Sequence, residues 1–244
     1  IDDAPALYDR ARKMPGIIAS GVAVHIGSQL TSLAPYARAY KRVADLVSLL
    51  RRRGHNITTI DIGGGIGITY KNEKPLNLDL YARMVRDTLM PLGVHIILEP
   101  GRSIVGNAGV LVSTVMQVKK GSHKNFTIID AAMNDLIRPT LYDAYHALLP
   151  CRRIQGQKIK GDVVGPVCES GDTFLVNEPL PPLKTGDIVC LMTSGAYGSV
   201  MSSNYNTRPK SAEVMVRGKK HALISPRQSV EALIRSDKIP DWIA

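Results

Sequence analysis

Four stretches of this sequence carry side chains that can do chemistry. The first is His25-Ile-Gly-Ser28, an imidazole and a hydroxyl closing an apolar run that starts at Gly21. Taken alone, a histidine in that setting is more often a satisfied core residue. The second is Gly63-Gly64-Gly65-Ile66-Gly67. Ile68 stands where a G-x-G-x-x-G pattern needs its last glycine, and no Walker lysine follows, so both nucleotide fingerprints are excluded. What remains is bare backbone. It either lets N–H groups converge on an anion or marks a bend under a closely packed helix.

The third stretch is Glu99-Pro100-Gly101-Arg102, at the end of the apolar run Val94 to Leu98. A carboxylate there is costly to bury unless a cation or donor meets it. Arg102 is one such partner; a protonated ring nitrogen is the other. The fourth group lies downstream: Arg138 near Asp135, Tyr142, Cys168-Glu169, and Tyr197 between Gly195 and Gly198. Each has a plain structural reading: a surface ion pair for Arg138, a small buried hydrophobe for Cys168, packing in a tight turn for Tyr197.

The first three stretches each end an apolar run, and the segments between them read as helices. Leu33, Tyr36, Ala37, Tyr40, Val43, Ala44, Val47 and Leu50 recur at three- and four-residue steps, on one helical face. Arg51 to Arg53 fall in the last turn, where cations meet the negative end of the helix dipole, and Gly54 is placed to stop it. A second helix is predicted from Leu78 to about Met90, capped by Asn77, with Ala82, Val85 and Leu89 inward. Strands joined by crossovers long enough to hold a helix pair in parallel. Motif starts at His25, Gly63 and Glu99 are 38 and 36 residues apart, an even spacing that fits consecutive units of a (β/α) barrel. In that fold, chemistry gathers at the C-terminal strand ends. Eight strands close such a barrel, so these three are a fragment of one.

From about Gly109 the texture changes to a mostly antiparallel β domain. Strands are predicted at Val110 to Val118, Phe126 to Ile129, Val163 to Cys168, Thr173 to Val176, Ile188 to Met192 and Ala212 to Val216. Turns fall at Lys184-Thr-Gly-Asp187 and Arg217-Gly-Lys219, with short helices at Thr140 to Leu149 and Ser229 to Ser236. The expected domains are 1–107 and 108–244.

Composition narrows the class. The chain has 244 residues and a net charge of +10, but its basic residues lie in small scattered clusters and aromatics make up only 5%. No basic stripe interleaves with stacking rings, which argues against nucleic acid. No apolar run reaches the length of a membrane span, and nothing at the start resembles a signal peptide. Cys151, Cys168 and Cys190 are widely spaced, with no C-x-x-C, which argues against a disulfide framework or a zinc site and for a reducing compartment. Cys190 reads as core. The first residue is Ile1, and an upstream segment is expected.

Read in order, His25-Ile-Gly-Ser-Gln29, Asp61-Ile-Gly-Gly-Gly-Ile-Gly67 and Glu99-Pro-Gly-Arg102 resemble the barrel motifs of the fold-type III pyridoxal-phosphate decarboxylases. Met133-Asn-Asp-Leu-Ile-Arg-Pro139 with Tyr142, Gly165-Pro-Val-Cys-Glu-Ser170 with Asp172, Gly195-Ala-Tyr-Gly198, Asn204-Tyr-Asn206 and Arg208-Pro209 follow. The ordered set is similar to the diaminopimelate decarboxylases and runs from about Gly16 to Arg217. The resemblance implies an alanine-racemase-like pairing of barrel and β domain, pyridoxal 5'-phosphate as cofactor, and conversion of meso-2,6-diaminopimelate to L-lysine and CO₂. It implies a cytoplasmic homodimer with shared active sites, and neither metal nor membrane.

It also implies residue roles. His25 stacks on the cofactor ring, and Glu99 pairs with the pyridine nitrogen. Ser28, the backbone of Gly63, Gly64 and Gly65, and the Pro100-Gly101-Arg102 segment hold the phosphate, with Tyr197 helping. Arg102, Arg138, Tyr142 and Tyr197 meet substrate, Glu169 takes a substrate amino group, and Cys168 returns a proton to the α-carbon. The family's Schiff-base lysine, in a Tyr-Ala-x-Lys-Ala setting, has no counterpart: no lysine here precedes an alanine. An ornithine- or arginine-type decarboxylase of the same fold, or a catalytically silent dimerisation partner, are the competing readings.

Overall fold

The apolar runs of the first hundred residues pair side by side in one parallel sheet of order β1-β2-β3, with β1 (Gly21–Ala23), β2 (Thr59–Asp61) and β3 (His95–Ile97). Val22, Ile60 and Ile96 stand in register across it. Each strand is shorter than its apolar run, but single main-chain bonds carry the ladder onward. Val24 N–H donates to Asp61 O (2.9 Å), Ile62 N–H to Ile97 O (3.0 Å) and Glu99 N–H to Gly63 O (2.9 Å). His25, Gly63 and Glu99 therefore lie together at the C-terminal edge of the sheet. Residues 1–243 are described by this computed structural model, in two units, Ile1–Val105 and Gly106 onward.

Two helices cover the sheet. Helix α2 (Leu33–Arg52) buries Tyr36, Tyr40, Val43, Leu46, Val47 and Leu50; Ala37, predicted inward, is exposed. Helix α3 (Leu78–Leu89) is capped by the Asn77 side chain, which accepts from Leu80 N–H. It buries Tyr81 with Val85 and Leu89, while Ala82 points outward: the larger ring takes the core position. Fully burying one such aliphatic side chain is worth about 1.5–3 kcal/mol. Arg51 does more than meet a dipole. Its guanidinium donates to Ile57 O (3.0 and 2.6 Å) and Leu92 O (2.6 Å), pinning the two loops that feed β2 and β3. Gly54, with φ +84°, ends the helix as placed.

Helix α1 (Ala4–Arg12) has no buried residue. Asp9 fastens it: its carboxylate takes Arg53 and His55 Nε2 (2.8 Å), bonds that hold its pKa down at about 2.

The second unit is built on a six-stranded sheet of order β6-β9-β4-β5-β7-β8. Its strands are β4 (Leu111–Lys120), β5 (Asn125–Ile129), β6 (Leu148–Pro150), β7 (Ile159–Val164), β8 (Thr173–Leu180) and β9 (Ile188–Leu191). Only β5 and β7 pair in parallel; the other neighbours are antiparallel. Val115, Ile129, Leu136, Val163, Phe174, Val189 and Leu191 fill its core. Asp187 closes the turn before β9, its carboxylate accepting from Lys184 N–H (2.8 Å), with Gly186 at φ +87°. An exposed hairpin, β10 (Glu213–Arg217) and β11 (Lys220–Ser225), precedes the short helix α6 (Val230–Ile234).

Two sequence expectations are corrected here. The predicted strand Val163 to Cys168 ends at Val164. Pro166 has no N–H to give a ladder, and Asp172 captures the next one, Val167 N–H donating to its carboxylate at 2.8 Å; the other carboxylate oxygen takes Met133 N–H from earlier in the chain at 2.7 Å. The predicted helix Thr140 to Leu149 is only α5 (Arg138–Tyr142), stopped by Asp143 at φ +51°, after which Leu148–Pro150 joins the sheet as β6.

Candidate active-site residues

At the sheet edge of the first unit the three glycines are required by space. A Cβ on Gly64 would stand 2.1 Å from Glu99 O; on Gly65, 2.1 Å from Gly27 O; on Gly63, 2.5 Å from Val24 O. The loop is threaded between the backbones that follow β1 and β3, and Gly63 and Gly65 also hold positive φ (+65° and +89°). From behind, Tyr36 of α2 donates to Gly64 O (3.2 Å) and Tyr40 to Ile62 O (3.3 Å), while Tyr40 and Tyr81 share a hydrogen bond of 2.8 Å. Close packing beneath accounts for the three glycines, of which Gly63 and Gly64 are buried. Gly63 N–H donates to Asp61 Oδ1 (2.8 Å), Gly64 N–H reaches His25 Nδ1 (3.4 Å), and Gly101 N–H bonds Glu99 O (2.9 Å).

The polar side chains of this edge face outward. His25 and Glu99 are exposed, so neither the core-histidine reading nor the cost of a buried carboxylate applies. Arg102, in α4 (Arg102–Val105), donates from Nη1 to Tyr70 Oη (2.6 Å) and from Nη2 to Ser28 Oγ (3.0 Å). Its guanidinium also lies 5.6 Å from the Tyr70 ring centre. A hydroxyl and a guanidinium from two different strand ends thus meet beside the glycine loop. A Cβ on Gly101 would meet nothing within 4 Å, and Pro100 is half-buried.

In the second unit Arg138 is buried at the start of α5, not paired on the surface. Its Nη1 lies 2.8 Å from His146 Nε2, and His146 Nδ1 lies 2.8 Å from Met192 O. A carbonyl only accepts, so Nδ1 carries the proton and Nε2 receives the guanidinium N–H: the imidazole is neutral. Asp135 instead takes Ala132 N–H, Ser211 Oγ–H and, at 3.7 Å, Arg208. Arg208 also bonds Asn134 Oδ1 (2.9 Å) and Asp130 O (2.6 Å). Those motif residues brace the unit. Tyr142 is exposed at the end of α5.

Cys168 and Glu169 stand exposed in the turn that Asp172 closes. Glu169 Oε1 accepts from Gly171 N–H (3.1 Å) and Oε2 from Tyr205 Oη (3.4 Å). Tyr205, with Met133, Asn134, Ile137 and Ser203, lines a cavity of about 270 Å³. Tyr197 has left-handed backbone at φ +59° and is 41% exposed, which does not suit a purely packing role. Such a conformation in a bulky residue costs of order 1–3 kcal/mol and concentrates at functional sites. Sequence reasoning missed Tyr70, His146 and Tyr205 as partners. None sits within a motif that marks Arg102, Arg138 or Glu169. Among the described residues, no group of three His, Cys, Asp or Glu gathers as a metal site needs, and no helix is long and apolar enough to cross a membrane.

A parallel sheet with a glycine loop and an arginine at its C-terminal edge, followed by an antiparallel sheet unit, matches a described family. The model for the pyridoxal-dependent decarboxylase C-terminal sheet domain matches residues 6–195, and the chain belongs to that family. Within it, the chain is diaminopimelate-decarboxylase-like. It is 44% identical over 244 residues to the diaminopimelate decarboxylase of Zymomonas mobilis, covering 99% of this chain and 58% of that protein. With the Vibrio cholerae enzyme it shares 46% over 233 residues, 95% of this chain and 56% of that one. The structure of diaminopimelate decarboxylase from Helicobacter pylori complexed with L-lysine superposes with a TM-score of 0.91 at 41% identity, over 96% of this chain and 58% of the other. A lysine/ornithine decarboxylase from Vibrio vulnificus complexed with cadaverine gives a TM-score of 0.77 at 28% identity, over 84% of this chain and 56% of that one. The chain thus spans under three fifths of the length of the relatives it matches.

Proposed function

We propose that this chain is the C-terminal portion of an enzyme that decarboxylates meso-2,6-diaminopimelate to L-lysine and CO₂ with pyridoxal 5'-phosphate. The observation that carries the reading is the meeting of Ser28 and Arg102 beside the Gly63–Gly65 loop at the C-terminal sheet edge. A hydroxyl and a fixed guanidinium form a donor set suited to a phosphate monoester, and the glycines let that group approach the backbone. Glu99, exposed on the neighbouring strand end, suits a protonated ring nitrogen, and His25 supplies a flat face beside it. When bound, the cofactor supplies an electron sink for the charge left by CO₂ loss.

The chain's own residues then bind, orient and return a proton. Arg138, held by neutral His146, offers a rigid fork for a carboxylate, with Tyr142 at the end of the same helix. Glu169, steadied by Gly171 and Tyr205, takes an ammonium group. Cys168, in the same turn, returns the proton to the α-carbon. Tyr197 joins the phosphate and substrate contacts. A cytoplasmic homodimer with shared sites belongs to the same reading, as does a lysine upstream of this chain.

The test is product analysis on the intact protein. Lysine and CO₂ are expected from meso-diaminopimelate, and a Cys168→Ala variant is expected to lose turnover. CO₂ release from ornithine or arginine alone would overturn the substrate. Turnover of the variant at the parent rate would remove Cys168 as the acid.

A further inference from the structure

Cys151 and Cys190, 39 residues apart in the chain, come together in the second unit with their sulfur atoms 3.2 Å apart. The placement follows from strand pairing. Leu149 of β6 stands opposite Cys190 of β9, so Cys151, two residues on, projects from the same face. Cys151 N–H donates to Ile188 O (2.9 Å), and the adjacent Arg152 pairs with Asp187 (2.6 Å), fixing the end of β6 against the start of β9. Both cysteines are free thiols; Cys151 is exposed and Cys190 half-buried. Cys190 is thus not the core residue its apolar setting suggested. Leu149 and Val112, its cross-strand neighbours, are half or more exposed, so this is the open face of the sheet.

We infer that Cys151 and Cys190 form a redox-responsive dithiol, which closes to an intrachain disulfide when a hydroperoxide or a small disulfide reaches Cys151. The inference uses neither the cofactor nor the proposed reaction. Closure needs the sulfurs to approach by only about 1 Å, to the S–S bond length of about 2.05 Å, while the strand hydrogen bonds hold both backbones. With a hydroperoxide, the Cys151 sulfur takes an oxygen and becomes a sulfenic acid as the peroxide O–O bond breaks, releasing water or an alcohol. The Cys190 sulfur then attacks that sulfur, and the sulfenic hydroxyl leaves as water with the Cys190 proton. With a small disulfide, Cys151 displaces one thiol, Cys190 the second, and two reduced thiols are released. Burial, and then the neighbouring Cys151 sulfur, push the Cys190 thiol up to about 11, which leaves Cys151 as the residue that meets the oxidant. Cys168 is exposed as well, so the specific link between Cys151 and Cys190, not the loss of thiols, is the signature of the pair.

The experiment is oxidation of the reduced, purified protein with hydrogen peroxide and, separately, oxidised glutathione, followed by thiol counting, intact mass and peptide mapping. The expected product yields a linked peptide pair, lighter by two hydrogens, that holds Cys151 and Cys190, whether exposed Cys168 is recovered as a thiol or as its own oxidant adduct. Cys151→Ser and Cys190→Ser each end instead as a heavier sulfenic acid or glutathione adduct. The reduced wild type captures phenylarsine oxide at least about a hundredfold more tightly than either variant, because the second sulfur binds intramolecularly. Separate adducts on Cys151 and Cys190 in the wild type, a link through Cys168, a link between chains, or three surviving thiols would each overturn the inference. The wild-type peptide map decides the matter even if a serine variant fails to fold.

Discussion

The two units hold their candidate residues by different means. In the first, main-chain geometry does the positioning: three strand ends, a glycine loop threaded between backbones, and tyrosine hydroxyls bonded to carbonyls from below. In the second, side chains position side chains: His146 on Arg138, Tyr205 on Glu169, Asp172 on the turn that carries Cys168. The first arrangement tolerates almost no added atom at its centre. The second is crowded at its glycines too, a Cβ on Gly165 standing 2.3 Å from Asp172 Oδ2 and one on Gly198 2.3 Å from Ser194 O, but its side-chain pairs are lost when a partner is removed.

The sharpest test of that contrast is Gly65→Ala, which meets Gly27 O at 2.1 Å and adopts φ +89°. Overpacking together with left-handed strain is expected to cost about 3 kcal/mol, read as a lowered unfolding midpoint. Gly101→Ala, with open space at its Cβ, should stay within about 0.5 kcal/mol of wild type. Equal losses at both positions would break the claim that the loop is packed and the edge open. In the second unit, His146→Ala removes an acceptor from a buried guanidinium and should cost about 1–3 kcal/mol in chemical denaturation. An unchanged midpoint would show that Arg138 does not depend on its neighbour.

Tyr197→Gly should raise stability by about 1 kcal/mol by relieving positive φ, while lowering decarboxylation by the intact protein. A gain in stability with full activity would leave the strain without a purpose. At Asp9 the expected effect depends on pH. Its folded pKa of about 2 lies below the unfolded value near 3.9, so its contribution is present above that value. It fades as pH falls from about 4 towards 2. An acid-unfolding curve for Asp9→Asn should converge with that of wild type at the low end of this window, and parallel curves throughout would remove the assignment.

The same contrast explains what could be read in advance. Parallel strands, their helices and the glycine loop were legible because backbone demands leave local marks: Asn77 before a helix, Gly54 after one, three glycines where no Cβ fits. Side-chain partnerships leave none. Arg138 and His146 are eight residues apart, Glu169 and Tyr205 thirty-six, and Cys151 and Cys190 thirty-nine. Nothing in either local pattern names the other. Elements were missed where the usual signal is weak. Helix α1 buries no residue and so shows no apolar stripe, and β11, the second strand of the hairpin whose first strand and turn were read, is exposed almost throughout. The three-residue strand β6 was hidden inside a helix-like run of Tyr, Ala and Leu.

The ring cluster of Tyr36, Tyr40 and Tyr81 has an optical consequence. Burial raises all three phenols, Tyr36 to about 12 and Tyr40 further, whereas an unfolded phenol ionises near 10. Above pH 10 the unfolded chain therefore sheds these protons more readily, and the favourable contribution of the neutral phenols drains away as alkalinity rises. Phenolate absorbance from this trio should then appear only when the first unit opens. A plain ultraviolet titration would follow the opening of that unit without a label, while the chain's single tryptophan, exposed Trp242 near the far end, reports on a different region.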